Sequence, residues 1–372
     1  MSDKVLSHFG VTKDSSNWLD WHWQYRNRIT DVATLSKIIE LSETEKKEIE
    51  SCIDSYSMAI TPYYASLMSE TDKLCPIRMQ SVPSIKETIV HSGEDKDPLC
   101  EEKSSPVPNI VHRYPDRVLF LVSHQCPMYC RHCIRKVRVG DEGFFLKEDE
   151  INTAVEYIAK TEQVRDVLVS GGDPLAMSDE YLETILEKIY RIPHVEIIRI
   201  GTRIPAVMPM RITDSLLTML RKYHPLWINT QFNHPKELSD DAVRACAAIA
   251  DAGIPIGNQS VLLRGINDNV PTMKELLLKL VKARVRPYYL YQCDLNEGNG
   301  HFRTKVETGV KIIEELTGKI TGFAVPKFVI DAPGGGGKIP VNPNYIESYE
   351  DGKVVMRNYE GKTYTYTEYM TD

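Results

Sequence analysis

Through the middle two thirds of the chain, short apolar runs alternate with longer stretches whose apolar residues recur every three to four positions. The runs fall at 118–122, 166–170, 195–200, 227–232, 254–258, 286–292 and 327–330. They are too short for helices and are bounded by polar or turn residues, as buried strands are. Between them, 150–160, 179–190, 239–252 and 272–282 carry apolar residues on one side and charges on the other, the pattern of helices laid against a sheet. Alternating strands and helices predict a parallel sheet joined by helical crossovers. Seven such strands are fewer than the eight of a closed barrel. The expected fold is therefore α/β: an open, partial parallel β/α barrel over 109–340, with a helical extension over 1–108 and a short β tail over 341–372.

The flanks have their own signals. Ser42 and Glu45 fit a capping box that opens a helix running to Met58, with Thr61-Pro62 as its end. Residues 17–28 concentrate Trp18, Trp21, Trp23 and Tyr25, an aromatic stretch assigned to packing, within the chain or between subunits. The polar, proline-containing segment 92–108 reads as the loop into the barrel. Near the end, 353–357 and 362–366 read as a hairpin.

Composition narrows the function. The chain has 372 residues, 42% hydrophobic and 26% charged, enough for one large barrel with additions and unlike a disordered chain. Its net charge of −7 disfavours a nucleic-acid surface and suits small-molecule work. No apolar stretch approaches a membrane span, and the first residues do not resemble a signal peptide. Among the eight cysteines, Cys52, Cys75, Cys100, Cys246 and Cys293 are scattered without the spacing of a disulfide framework. A reducing cytoplasm is the expected setting.

The other three, Cys126, Cys130 and Cys133, form CxxxCxxC directly after the run 118–122. They sit on a loop at a strand's C-terminal end, where barrels place their chemistry. Clustered thiolates select zinc, copper(I) or iron–sulfur clusters. A closed zinc site needs four ligands, and no fourth stands at ligand spacing; one short loop can hardly bend His132 onto the same ion. Three thiolates on a four-iron cluster leave one iron open to a small molecule. A second motif, Asp331-Ala-Pro-Gly334-Gly-Gly-Gly337-Lys338, follows the last strand. Its glycines allow backbone N–H groups to crowd toward an anion. Lys338 can serve as a phosphate contact or form a Schiff base with a carbonyl cofactor.

CxxxCxxC on the loop after a first barrel strand resembles the radical S-adenosylmethionine family. Together with the glycine–lysine turn, further stretches carry a resemblance to the lysine 2,3-aminomutase family. They include His112-Arg-Tyr-Pro-Asp-Arg117, Ser170-Gly-Gly-Asp173, Gly257-Asn-Gln-Ser-Val-Leu-Leu-Arg-Gly265, Tyr291-Gln-Cys-Asp294 and His301-Phe-Arg-Thr304. The resemblance implies an isomerase that moves the α-amino group of L-lysine to C3, giving L-β-lysine. Its implied cofactors are a 4Fe–4S cluster on Cys126, Cys130 and Cys133, S-adenosylmethionine, and pyridoxal 5′-phosphate on Lys338. Arg113 and Arg117 are implied as phosphate contacts, and Arg135 as the clamp on the substrate α-carboxylate. Ser170, Gly171, Gly172 and Asp173 are implied to receive the S-adenosylmethionine amino group, unless they form only a tight turn. Gln259 is implied in the adenosyl pocket. Asp294 and Asp331 are implied to bind the distal ammonium; related glutamate enzymes replace these acids, which disfavours glutamate. Implied partners are the amino acid, an electron donor of flavodoxin or ferredoxin type, and further copies of the chain in a dimer or tetramer.

Some positions depart from the family pattern. Asn269 stands where a zinc ligand is expected, and no cysteine cluster follows Asp372, so zinc is not expected. Gln231 replaces a customary histidine. The stretch Asn296-Glu-Gly-Asn-Gly300 is more polar than usual beside Asp294, which keeps arginine open as an alternative substrate. A rival of another class is a non-catalytic iron–sulfur or zinc protein.

Overall fold

The computed structural model describes residues 2–140 and 145–368. Nine strands lie side by side in chain order: β1 (Ile110–Tyr114), β2 (Arg117–Ser123), β3 (Asp166–Gly171), β4 (Ile197–Gly201), β5 (Leu226–Thr230), β6 (Ile256–Leu262), β7 (Arg286–Gln292), β8 (Lys327–Ala332) and β9 (Gly337–Pro340). Strands β2 to β8 are parallel, and these are the seven expected from the apolar runs. The two edge strands are antiparallel to their neighbours. Among the described residues no ladder joins β1 to β9, so the barrel is open. A side chain closes the gap instead: the Tyr114 hydroxyl on β1 accepts from the Lys338 N–H on β9 at 2.9 Å.

The strands are two-faced, because successive side chains point to opposite sides of a sheet. Val167, Val169, Ile198, Ile200, Ile228 and Leu290 are buried and belong to the main hydrophobic core. The intervening Asp166, Leu168, Ser170, Arg199, Asn229 and Gln259 line a central cavity. Helices cover the outer side; Val270–Lys282, for example, buries Met273, Leu276, Leu277 and Leu280, a single helical stripe. The interior is therefore an unfilled chamber lined by both polar and apolar side chains, unlike a closed barrel's packed core.

The expected helix from Ser42 does start there, with the Ser42–Glu45 capping box in place, but it ends at Ile53. Thr61-Pro62 opens the next helix, Pro62–Ser66, rather than closing the first: Thr61 accepts from the Tyr64 N–H and proline fills the first turn, where its missing N–H costs nothing. The aromatic stretch forms two short helices, Ser16–Leu19 and Trp21–Arg26, packed within the chain. Trp18 is buried and the Arg211 guanidinium stacks on Trp21. The tail adds a second sheet of β10 (Ile346–Glu350), β11 (Lys353–Arg357) and β12 (Thr363–Thr367). The expected hairpin is β11–β12; β10 escapes the pattern because most of its side chains are exposed. Among the described residues no helix is long and apolar enough to cross a membrane.

Candidate active site

The cavity runs through the barrel from the first residues of the parallel strands, such as Asp166, Ile197 and Lys327, to the loops at their C-terminal ends. Its volume is about 990 Å³, and every candidate site residue named from the sequence lines it. Segments more than two hundred residues apart, such as those of Arg113 and Lys338, are thus brought into one chamber.

The cysteine loop is pinned from the helical extension. Arg131 and Lys136 both reach the fully buried Glu87, at 2.7 and 2.9 Å. Burial pushes the Glu87 carboxyl up, but the two cations more than offset this and hold it below its ordinary value. Arg28 donates to the Cys126 carbonyl at 2.7 Å. The three thiols are free and partly buried, and two of their sulfurs accept N–H groups. Arg203 Nη1 lies 2.8 Å from Cys130 Sγ, and the Arg135 N–H lies 3.3 Å from Cys133 Sγ. Burial, then neighbouring negative charge, pushes the Cys126 thiol well up; burial and Cys130 push Cys133 up. Thiols of this kind ionise when a metal supplies the compensating charge. The three sulfurs lie close enough to raise one another's ionisation cost, and soft thiolates from one short loop are a donor set that suits an iron–sulfur cluster.

Gly171 and Gly172 are needed because the cysteine loop departs beside them. A Cβ on Gly171, whose φ is 131°, would lie 2.3 Å from the Ser123 carbonyl oxygen, and one on Gly172 would lie 2.3 Å from that of Gln125. Asp173 is buried, and its carboxylate already accepts from Thr202 Oγ1 (2.7 Å), the Arg203 N–H (2.7 Å) and the Leu175 N–H (3.1 Å). Its side chain joins the ends of β3 and β4 and also lines the cavity. Ser170 and Gln259 face the cavity. Gln231 also lines it, bonds the buried His132, and through its carbonyl accepts from Arg203 Nε at 3.2 Å.

The glycine run is a tight turn between β8 and β9. Its 334 and 336 N–H groups donate to the Pro98 and Ala332 carbonyls, so the turn is not the open anion cradle that its composition suggests. Gly337 has φ 81°, and a Cβ there would lie 3.0 Å from the Tyr114 hydroxyl. What the turn does is aim Lys338 inward. Arg113 donates to the Leu99 carbonyl, yet its buried Nε has no partner. Arg117 stacks on Tyr114 at 3.9 Å and pairs with Asp116 at 2.9 Å. A lysine, an arginine with an orphaned donor and a second arginine in one chamber fit pyridoxal phosphate.

Asp331 and Lys338 are register partners across β8 and β9, with Lys338 Nζ 3.2 Å from Asp331 Oδ1. Asp294 faces the same space. Burial, and then the Asp331 charge, push its carboxyl up to about 7. Arg135 lines the cavity but is not free: Glu101 takes Nε at 2.9 Å and also Nη2. The polarity of 296–300 has a different purpose from the one expected. Asn296 and Asn299 are fully buried and donate to the Cys133 and His132 carbonyls, at 3.5 and 3.1 Å. They brace the cysteine loop and do not line the cavity, so they give no support to a guanidinium substrate. Asn269 caps the helix Val270–Lys282 through the Thr272 N–H. Glu101, Tyr114 and Arg203 were not singled out from the sequence. Arg203 alone had a signal: it follows the end of β4 as Asp173 follows the end of β3.

Comparison with known proteins agrees with this chamber. A family model described as "Radical SAM superfamily" matches residues 120–277, and one described as "Lysine-2,3-aminomutase" matches 313–371. The L-lysine 2,3-aminomutase of Fusobacterium nucleatum is 55% identical over 94% of this chain and 83% of its own length. That of Clostridium subterminale is 54% identical over 98% and 88%. The glutamate 2,3-aminomutase of Clostridioides difficile is 44% identical over 96% and 84%. With the cysteine loop, the lysine on its glycine turn and these near-full-length likenesses, the chain belongs to the lysine 2,3-aminomutase family of the radical S-adenosylmethionine superfamily.

Proposed function

We propose that the chain interconverts L-lysine and L-β-lysine. The observation that carries this reading is the pair Asp294 and Asp331 in one cavity, with a lysine ammonium, that of Lys338, already seated on Asp331. That end of the chamber is built for an alkylammonium. The cofactors, when bound, supply hydrogen abstraction (the cluster with S-adenosylmethionine) and an electron sink for nitrogen transfer (pyridoxal phosphate). The protein's own part is to hold and orient. Cys126, Cys130 and Cys133 would hold the cluster, Arg113 and Arg117 the phosphate, and Lys338 the pyridoxal. Arg135 takes the α-carboxylate and the two aspartates take the ε-ammonium, so the substrate is fixed at both ends. Glutamate, with a carboxylate in place of the ammonium, would meet two like charges. A reducing cytoplasm, a flavodoxin- or ferredoxin-type donor and a homo-oligomer complete the proposal; the free cysteines are consistent with the first.

The test is anaerobic turnover of L-lysine, L-arginine and L-glutamate by the wild type and Asp331→Asn. Removing one charge of a buried ion pair typically costs ~3–5 kcal/mol, so the variant should lose at least ~10²-fold on lysine while keeping its cofactors. Glutamate as the best wild-type substrate, or undiminished lysine turnover by the variant, would refute the reading.

A further inference from the structure

Residues 97–101 form a strap that touches three parts of the site in succession. The Pro98 carbonyl accepts from the Gly334 N–H at 3.1 Å, in the glycine turn. The Leu99 carbonyl accepts from the Arg113 guanidinium. The Glu101 carboxylate accepts from Arg135, at Nε (2.9 Å) and at Nη2. The strap is itself held rigid. The Glu101 N–H donates to Asp97 Oδ1 at 2.9 Å, and the Ser105 hydroxyl donates to the Glu101 carbonyl at 2.7 Å. Cys100 sits at φ 51°, a left-handed conformation that non-glycine residues keep only where the surroundings enforce it.

Glu101 is buried, at 7% exposure, and lines the cavity beside Arg135. Both of its oxygens are taken by that one guanidinium, so it is not a third ligand for an ammonium. A guanidinium carries five N–H donors in a rigid plane. With two of them fixed on Glu101, the plane cannot turn without breaking a bidentate, charge-assisted contact, and the remaining donors keep one direction. We propose that Glu101 is a positioning residue for Arg135, and that the strap 97–101 sets the substrate's α-carboxylate in register with the pyridoxal phosphate site. This rests on the functional reading given above. It has a distinctive consequence. Neutralising Glu101 leaves Arg135 its charge, so attraction for a carboxylate persists or strengthens while its aim is lost. Turnover should suffer and binding should not.

The test uses cofactor-loaded enzyme: wild type, Glu101→Gln, Glu101→Asp, Arg135→Lys and the Glu101→Gln/Arg135→Lys double variant. Steady-state kinetics on L-lysine are combined with equilibrium titrations of L-lysine and L-lysinamide, read from the pyridoxal absorbance. Glu101→Gln is expected to lower kcat at least about tenfold with both dissociation constants within about threefold of wild type. Glu101→Asp should recover part of the loss, and the double variant should fall no further than Arg135→Lys alone. An unchanged kcat in Glu101→Gln, a raised KM with kcat intact, or additive losses in the double variant would overturn the proposal. Should Glu101→Gln not hold iron and pyridoxal at wild-type stoichiometry, Glu101→Asp carries the test, because a carboxylate one methylene shorter keeps the charge but shifts the guanidinium it holds. A kcat loss without a KM rise then supports the proposal, and the converse overturns it. If the wild type instead prefers another amino acid, the functional reading fails. The same variants are then read with that amino acid, which carries the same α-carboxylate.

Discussion

Asp294→Asn should make the empty protein more stable while destroying its use of lysine. An aspartate titrates near 3.8 when unperturbed, and burial beside Asp331 pushes Asp294 up to about 7. Between those values the unfolded chain releases the proton and the folded chain keeps it. Stability therefore falls as pH rises, by ~1.4 kcal/mol per unit, and levels off above about 7. Three units correspond to about 4 kcal/mol, and water in the open cavity reduces this to roughly 2–4 kcal/mol. Asparagine resembles the protonated acid and escapes the penalty. With an unfolding entropy of ~2.1 cal/mol/K per residue, the variant should melt roughly 3–5 °C above wild type at pH 8 and only about 1 °C above it at pH 4.5. The assay is anaerobic thermal melting at both pH values, without amino acid. Saturating L-lysine should reverse the order at pH 8, since only the wild type gains ligand stabilisation. A gap that does not widen with pH, or a variant that melts below wild type at pH 8, would refute the electrostatic reasoning.

Three further outcomes are expected. Alanine at Cys126, Cys130 or Cys133 should remove bound iron and deoxyadenosine formation, while Cys246→Ala, buried in the helix Asp240–Asp251, should keep both; iron analysis and chromatography decide. Lys338→Ala should leave no pyridoxal that borohydride can fix to the protein, as read by mass spectrometry. Asn296→Ala and Asn299→Ala should each speed loss of the cluster, followed by its visible absorbance, without altering the lysine-to-arginine turnover ratio. A shift of that ratio toward arginine would mean that the loop faces the substrate after all.

The parallel strands were legible because each is a short apolar run whose outward residues must be buried. The edge strands were not: β1 buries only Ile110 and Val111, and β9 carries a glycine and a proline, which strands normally avoid. Site residues were legible where chemistry fixes residue type and spacing, as in CxxxCxxC and the glycine turn before Lys338. They were not legible where partners come from distant segments. Glu101 lies 34 positions from Arg135, and Arg203 lies 73 positions from Cys130, so nothing local marks either contact. Asn296 and Asn299 show the converse limit. Polar residues beside a site read as facing the substrate, although these two side chains are buried and hold the cysteine loop.

The central claim is tested most directly by the fate of one nitrogen. L-Lysine labelled with 15N at the α-amino group and 13C at C3 should be converted, under anaerobic reducing conditions, to a product whose carbon NMR signal shows a one-bond coupling between the two labels. That coupling places the migrated nitrogen on C3, as L-β-lysine requires. Label recovered as free ammonium, or lysine returned with its nitrogen still at the α-carbon after full cofactor loading, would contradict the assignment.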